Sequence, residues 1–206
     1  MFIGTVTGAD PDNDDLMFVL ESADGGPFSM SVNGSLFVNT SLGGGLDFES
    51  KSSYTLVVSL AESQNRVVGS PLLSAVVGSV TLSVTVVDVN EAPRFLSVPA
   101  AFHIAEHAAA LSVLDVVPAS TALAVFDEDD VYDVSLVVTV GDEYFETVRL
   151  GVSDGLYGLR IRAGAPDIDY DQGVTVVVVV LVVTDSGGLS TNVTTSVSID
   201  DVNDRT

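Results

Sequence analysis

Cysteine and tryptophan are absent from this chain, and basic side chains are scarce: 7 Lys and Arg stand against 29 Asp and Glu in 206 residues, a formal net charge of -22. Without cysteine there is no disulfide framework, and redox chemistry does not report the compartment. So negative a field repels nucleic acid and anionic membrane surfaces, which excludes both as partners. With two His, no Cys and no Gly-rich phosphate loop, nucleophilic triads and nucleotide sites lack their parts. Paired carboxylates could serve glycoside hydrolysis, but without Trp the usual stacking platform for a sugar is missing. The expectation is a protein that is not an enzyme.

Long hydrophobic runs are also lacking. The longest, Val176 to Val183, falls far short of the ~20 residues of a spanning helix. Its β-branched character reads as a buried strand, so no membrane contact is expected of this segment itself. Met1-Phe2-Ile3 leads into a polar strand pattern rather than a signal peptide.

What is present is a core-forming composition, 47% hydrophobic and only 17% charged. An acidic disordered tail would be poor in apolar residues. The acids therefore sit on a folded body, and divalent cations are the simplest partner for them. Val, Thr and Ser alternate in short runs, most clearly Tyr54 to Leu60, Ser79 to Val87 and Thr191 to Ile199. Turn signals such as Asp24-Gly25-Gly26-Pro27, Asn33-Gly34 and Ser186-Gly187-Gly188 separate the runs. The pattern predicts an all-β sandwich architecture. Only Ala100 to Leu114 has a composition compatible with a helix. Three sequons, at Asn33, Asn39 and Asn192, permit glycosylation in a secreted eukaryotic chain.

The chain repeats itself. Asp10-Pro11-Asp12 recurs as Asp127-Glu128-Asp129, Leu46-Asp47-Phe48-Glu49 as Ile168-Asp169-Tyr170-Asp171, and Asp88-Val89-Asn90-Glu91 as Asp201-Val202-Asn203-Asp204. The order is kept and the offsets lie between roughly 110 and 125 residues. This divides the chain into two domains, 1–92 and 93–204, with the stiff Ala92-Pro93 link between them. Every repeated motif carries carboxylates at a strand end or loop. In extended chain an Asp-x-Asp pair points to one face, and calcium takes six to eight such oxygen ligands.

These motifs make both halves resemble cadherin repeats. Asp88-Val89-Asn90-Glu91-Ala92-Pro93-Arg94-Phe95 is similar to the family's Asp-x-Asn-Asp-Asn-x-Pro-x-Phe linker, and Gly4 to Asp12 resembles its second strand and Asp-x-Asp loop. The resemblance implies two tandem Greek-key β-sandwiches of immunoglobulin-like architecture, joined end to end with Ca²⁺ at the junction. It implies a middle site built from Asp47, Glu49, Asn90, Glu91, Asp127, Asp129 and Asp185, with carbonyls near Val89, Ala92 and Asp133, and Asp88 anchoring the linker. Asp10, Asp12 and Glu62 would form an N-terminal half-site. Glu106, Asp169, Asp171, Asn203 and Asp204 would form a C-terminal one. Partners would be neighbouring cadherin-like repeats in a longer chain and another cell-surface protein. The location would be extracellular, on a cell-surface or plasma-membrane protein, with calcium stiffening a rod that serves cell–cell adhesion.

Departures from the family pattern carry their own expectations. Repeat one starts at the second strand, so an unpaired sheet edge is expected, with weaker or less calcium at the middle junction. The linker is one residue short, and His107 stands where Asn often follows Glu106. Without Trp, adhesion by exchange of Trp-bearing strands is not expected. A microbial adhesin or matrix protein using the repeats as passive spacers is the alternative reading. A remote one is a zinc peptidase. His103-Ile104-Ala105-Glu106-His107 matches the H-x-x-E-H pattern, which on a helix would set both histidines on one face. That chemistry needs a helical domain, and the β-rich sequence downstream offers none. The resemblance instead makes this segment the first strand of repeat two, with Glu106 turned to calcium.

Overall fold

The computed structural model describes residues 1–12, 14–39, 45–62, 76–117, 122–129, 133–151 and 155–203. Among them there is no helix, and the chain divides into two compact units, Met1–Val89 and Asn90–Thr206.

The first unit contains β1 (Phe2–Thr5), β2 (Leu16–Ser22), β3 (Phe28–Met30), β4 (Ser35–Val38), β5 (Ser53–Glu62) and β6 (Val76–Thr85). They form two antiparallel sheets, ordered β1-β4-β3 and β2-β5-β6. Period-two alternation decides which side chains go inward. Tyr54, Leu56 and Val58 of β5 are buried, while Thr55 between them is exposed. Phe28, Leu36, Val38, Tyr54 and Leu56 form the core, and the rings of Phe28 and Tyr54 meet edge to face at 5.0 Å. The Asp24-Gly25-Gly26-Pro27 turn must pass close over those rings. A Cβ on Gly26 would lie 2.5 Å from Phe28, so only glycine fits.

The second unit contains β7 (Arg94–Ser97), β8 (Ala101–Ala105), β9 (Asp115–Val117), β10 (Leu123–Phe126), β11 (Ser135–Val140), β12 (Phe145–Arg149), β13 (Leu156–Ile161), β14 (Val176–Thr184) and β15 (Ser190–Asp200). Its sheets run β12-β13-β10-β7 and β11-β14-β15-β8-β9. Stripped of β7, β8 and β9, these are the two sheets of the first unit over again. The sequence repeat is thus a repeat of strand order. Among the described residues these strands add to a core in which Phe102, Leu123, Leu159, Leu181 and Val197 are wholly enclosed.

Those extra strands also locate the open edges. In the second unit β10 pairs with β7, and β15 pairs in parallel with β8. Their counterparts in the first unit, β1 and β6, each pair with one neighbour only among the described residues.

Ala101–Ala105 is a strand, the first strand of repeat two that the resemblance implies rather than the helix its composition would allow, because Phe102 and Ile104 alternate inward and bond in register with Val197 and Ile199. The residues after it form a turn rather than a helix, and His107 and Leu111 adopt left-handed φ angles of 53° and 69°. One expectation is corrected: the valine run is only half buried. Val179, Leu181 and Val183 are enclosed, but Val176 and Val178 are 55% and 53% exposed on the outer face.

Candidate metal sites

Strand pairing creates an acidic end on the second unit. Phe126 pairs with Arg94, so the chain entering β7 and the chain leaving β10 lie side by side. β14 and β15 turn at the same end, through Asp185 to Leu189. Asn90, Glu91, Asp127, Asp129 and Asp185 are brought together there. The Glu91 N–H donates to Asp129 Oδ2 at 2.9 Å, and the Asp129 N–H to Asp127 Oδ1 at 2.9 Å. Asn90 Nδ2 donates to Asp185 Oδ2 at 2.8 Å, and the Leu189 N–H to Asp185 Oδ1 at 2.8 Å. Asp127 and Asp185 are buried, with 2% and 7% exposure. Burying a carboxylate requires partners that favour its charge.

The chemistry of Asp185 shows that balance. Burial pushes its pKa up, but the Asn90 amide and the N–H groups of Leu189, Gly188 and Gly187 outweigh it and hold the carboxyl below the ordinary Asp range. Gly187 is needed for this. A Cβ there would lie 2.8 Å from Asn90 Oδ1. Arg94 sits beside the cluster but turns to Glu128 at 2.5 Å and stacks over Phe126. Asp133 is exposed before β11.

The two remaining members of the predicted middle site belong to the first unit. Asp47 accepts from the Ser50 N–H at 3.0 Å and from Ser50 Oγ at 2.8 Å. The Ser50 hydroxyl and N–H, with Glu49 behind them, hold its pKa below the usual value. Glu49 and Asp88 are exposed. In the predicted N-terminal half-site, Asp10 Oδ1 accepts from the Asp12 N–H at 2.7 Å and the Asp14 N–H at 3.3 Å. Glu62 pairs with Leu16 at the end of β5, beside that loop.

Repeated sequence has become repeated geometry. Asp10 and Asp127 each cap the amide two residues on. Asp47 and Asp169 each cap the amide three residues on, the latter from Gln172 at 3.0 Å.

The opposite end of the second unit holds the predicted C-terminal half-site. Asp200 pairs with Ala105 at the far end of β15, the whole strand away from Ser190. Glu106 comes next, its side chain enclosed, accepting from the Tyr170 N–H at 2.6 Å and the Val202 N–H at 2.8 Å. Asp169 also takes Gln172 Nε2 at 2.7 Å. Burial raises its pKa, but Gln172, the His107 charge and the Asp171 N–H lower it further. Asp171 and Asn203 are exposed nearby in sequence, and Asp204 lies outside the described residues.

Two features here were not assigned from the sequence. His107 Nδ1 lies 2.8 Å from Asp167 Oδ2, and its Nε2 lies 3.9 Å from Glu106 Oε2. The hydrogen bond from Asp167 raises the His107 pKa, burial opposes it, and the charges of Asp167, Glu106 and Asp169 add to the rise. Asp167 escaped notice because its counterpart in the first repeat is Gly45. The zinc-peptidase arrangement is not formed. His103 is on a strand and faces Asp200 at 3.3 Å, while His107 is on a turn and faces Asp167.

No protein-family model matches the chain, and no curated protein does. Solved structures do. The chain is similar to protocadherin gamma B2 extracellular cadherin domains 1–5, with TM-score 0.67 and 21% identity over 99% of this chain and 36% of that one. It is similar to the cis-dimer structure of protocadherin gammaB7 EC3-6, with TM-score 0.64 and 19% identity over 100% of this chain and 43% of that one. Mouse cadherin-23 EC22-24 aligns with TM-score 0.56 and 21% identity over 91% of this chain and 53% of that one. The chain thus has the all-β fold of cadherin extracellular repeats, and it spans roughly a third to a half of each of these structures.

Proposed function

We propose that the chain is a non-catalytic extracellular module, for adhesion or as a spacer in an adhesive array, that binds calcium through its acidic loops. The observation that carries this reading is the set Asn90, Glu91, Asp127, Asp129 and Asp185. Three separate segments deliver oxygen ligands to one end of a sandwich, and two of the acids are buried. Carboxylates gathered at one end of a domain repel one another. A cation offsets that repulsion, and an all-oxygen set suits a hard one such as Ca²⁺.

In this proposal Asp47 and Glu49 join the set, so that calcium ties the two repeats, 1–92 and 93–204, into a stiff rod. Asp10, Asp12 and Glu62, and likewise Glu106, Asp169, Asp171, Asn203 and Asp204, serve neighbouring repeats in a longer chain on a cell surface. Extracellular modules of this kind bind at ~10⁻⁴ to 10⁻³ M, which fits a calcium-rich exterior. At a tenfold excess over Kd one site adds only about 1.4 kcal/mol, so stiffness rather than fold stability is the output. Small-angle scattering tests the idea. Calcium at about 2 mM, a roughly extracellular level, should narrow the spread of inter-repeat distances, and Asp129→Ala should abolish the change. Identical scattering of the wild type in chelator and in calcium rejects the rod.

A further inference from the structure

We propose that Glu106, His107 and Asp169 form a second kind of metal site, one that takes a zinc-class divalent cation in preference to calcium. One ligand atom from each of the three lies within 4.8 Å of the others. Tetrahedral zinc, with bonds of about 2.0–2.2 Å, sets its ligand atoms roughly 3.4 Å apart. Closing that gap takes about an ångström of side-chain movement. Calcium prefers oxygen throughout, whereas imidazole nitrogen suits zinc and its neighbours in the first transition row. A histidine therefore changes the cation class of this end, while the Asp127 and Asp185 end offers oxygen alone.

The independent observation is Asp167, which is not one of the three. Its Oδ2 lies 2.8 Å from His107 Nδ1. Metal-bound histidines are held in this way, with the ring nitrogen that does not bind donating its N–H to a carboxylate. The bond fixes the tautomer with the proton on Nδ1, and directs Nε2 toward Glu106 Oε2 at 3.9 Å. The carboxylates are preset as well. Glu106 is locked by the Tyr170 and Val202 N–H groups, and Asp169 by Gln172. Each of the three side chains is thus already oriented by a partner outside the set, and binding asks of them only the ångström or so of closure.

Zn²⁺ alone is the probe, titrated into the 206-residue chain in about 2 mM calcium, a roughly extracellular level, and read from imidazole ¹⁵N shifts. With two histidines in the chain, His103→Gln assigns the signals. The expected result is one equivalent bound and a shift at His107 Nε2. His107→Gln should weaken binding at least ~10-fold and Asp167→Asn by ~10-fold, the usual effect of losing an orienting carboxylate. His103→Gln should change nothing. Zinc signals at His103, unchanged affinity in His107→Gln, or displacement of zinc by that calcium would each overturn the site. Should the variants misfold, the wild-type ring shifts alone decide. The site shares two acids with the calcium reading but not its fate. Calcium at the other end is followed separately by the amides of Leu189 and Asp129, and either response can vanish without the other.

Discussion

Glu106 offers the sharpest test of how the acidic ends are held without metal. Two opposing effects act on its carboxylate. It accepts the Tyr170 and Val202 N–H groups at 2.6 and 2.8 Å, and bonds to a charged group contribute roughly 1.5–3 kcal/mol each. Against this stands repulsion from Asp169, whose nearest ligand oxygen lies within 4.8 Å. Asp169 is partly solvated and salt weakens the repulsion, so the hydrogen bonds should win. Glu106→Gln keeps one acceptor but sets an amide against the other N–H, and should destabilise by about 1–3 kcal/mol in chelator. Glu106→Ala strips both and should cost more, roughly 2–4 kcal/mol, water relieving part of the loss at exposed Val202. The assay is urea unfolding followed by tyrosine fluorescence, since four of the five tyrosines come after residue 90. With m near 1–3 kcal/mol/M, the Gln variant should lower the midpoint by about 1 M. A higher midpoint for Glu106→Gln in chelator would show that repulsion dominates and refute the balance drawn here.

Two further outcomes concern the other end of the second unit. Gly187→Ala places a Cβ 2.8 Å from Asn90 Oδ1. The flexible amide should swing off Asp185 and weaken calcium binding several-fold by calorimetry, while unfolding in chelator shifts by no more than about 1 kcal/mol; unchanged calcium affinity would remove Asn90 from the site. The folded-state pKa of Asp185 is depressed below 3.8, so its carboxylate contributes stability above that value and loses it as pH falls through the folded pKa. Asp185→Asn should therefore flatten the stability profile below about pH 4 and leave its slope near pH 7 unaltered; equal acid sensitivity in both proteins would contradict the assignment.

Legibility in the sequence differs by feature. Strands were readable because alternation in Tyr54 to Leu60 and Thr191 to Ile199 already encodes which face is buried. The acids were readable because their motifs recur. Ala100 to Leu114 was ambiguous by composition alone, because helix propensity is a weak local preference. Phe102 and Ile104, spaced two apart, contribute more by packing in the sandwich than alanines can in a helix. The valine run misled for a related reason: its residues are uniformly apolar, so composition could not show that β14 covers the core with one face only. Asp167 was invisible because its counterpart in the first repeat is Gly45, so no acid recurs at that position. The loop that carries it meets His107 only after folding, from 60 residues away along the chain.

Metal at the acidic end of the second unit is the claim on which the functional account rests, and anomalous scattering from a crystal grown with calcium tests it most directly. A calcium peak is expected about 2.3–2.6 Å from carboxylate oxygens of Asp127, Asp129 and Asp185. Featureless density at that position, with the Asn90–Asp185 and Glu91–Asp129 hydrogen bonds intact, would contradict it.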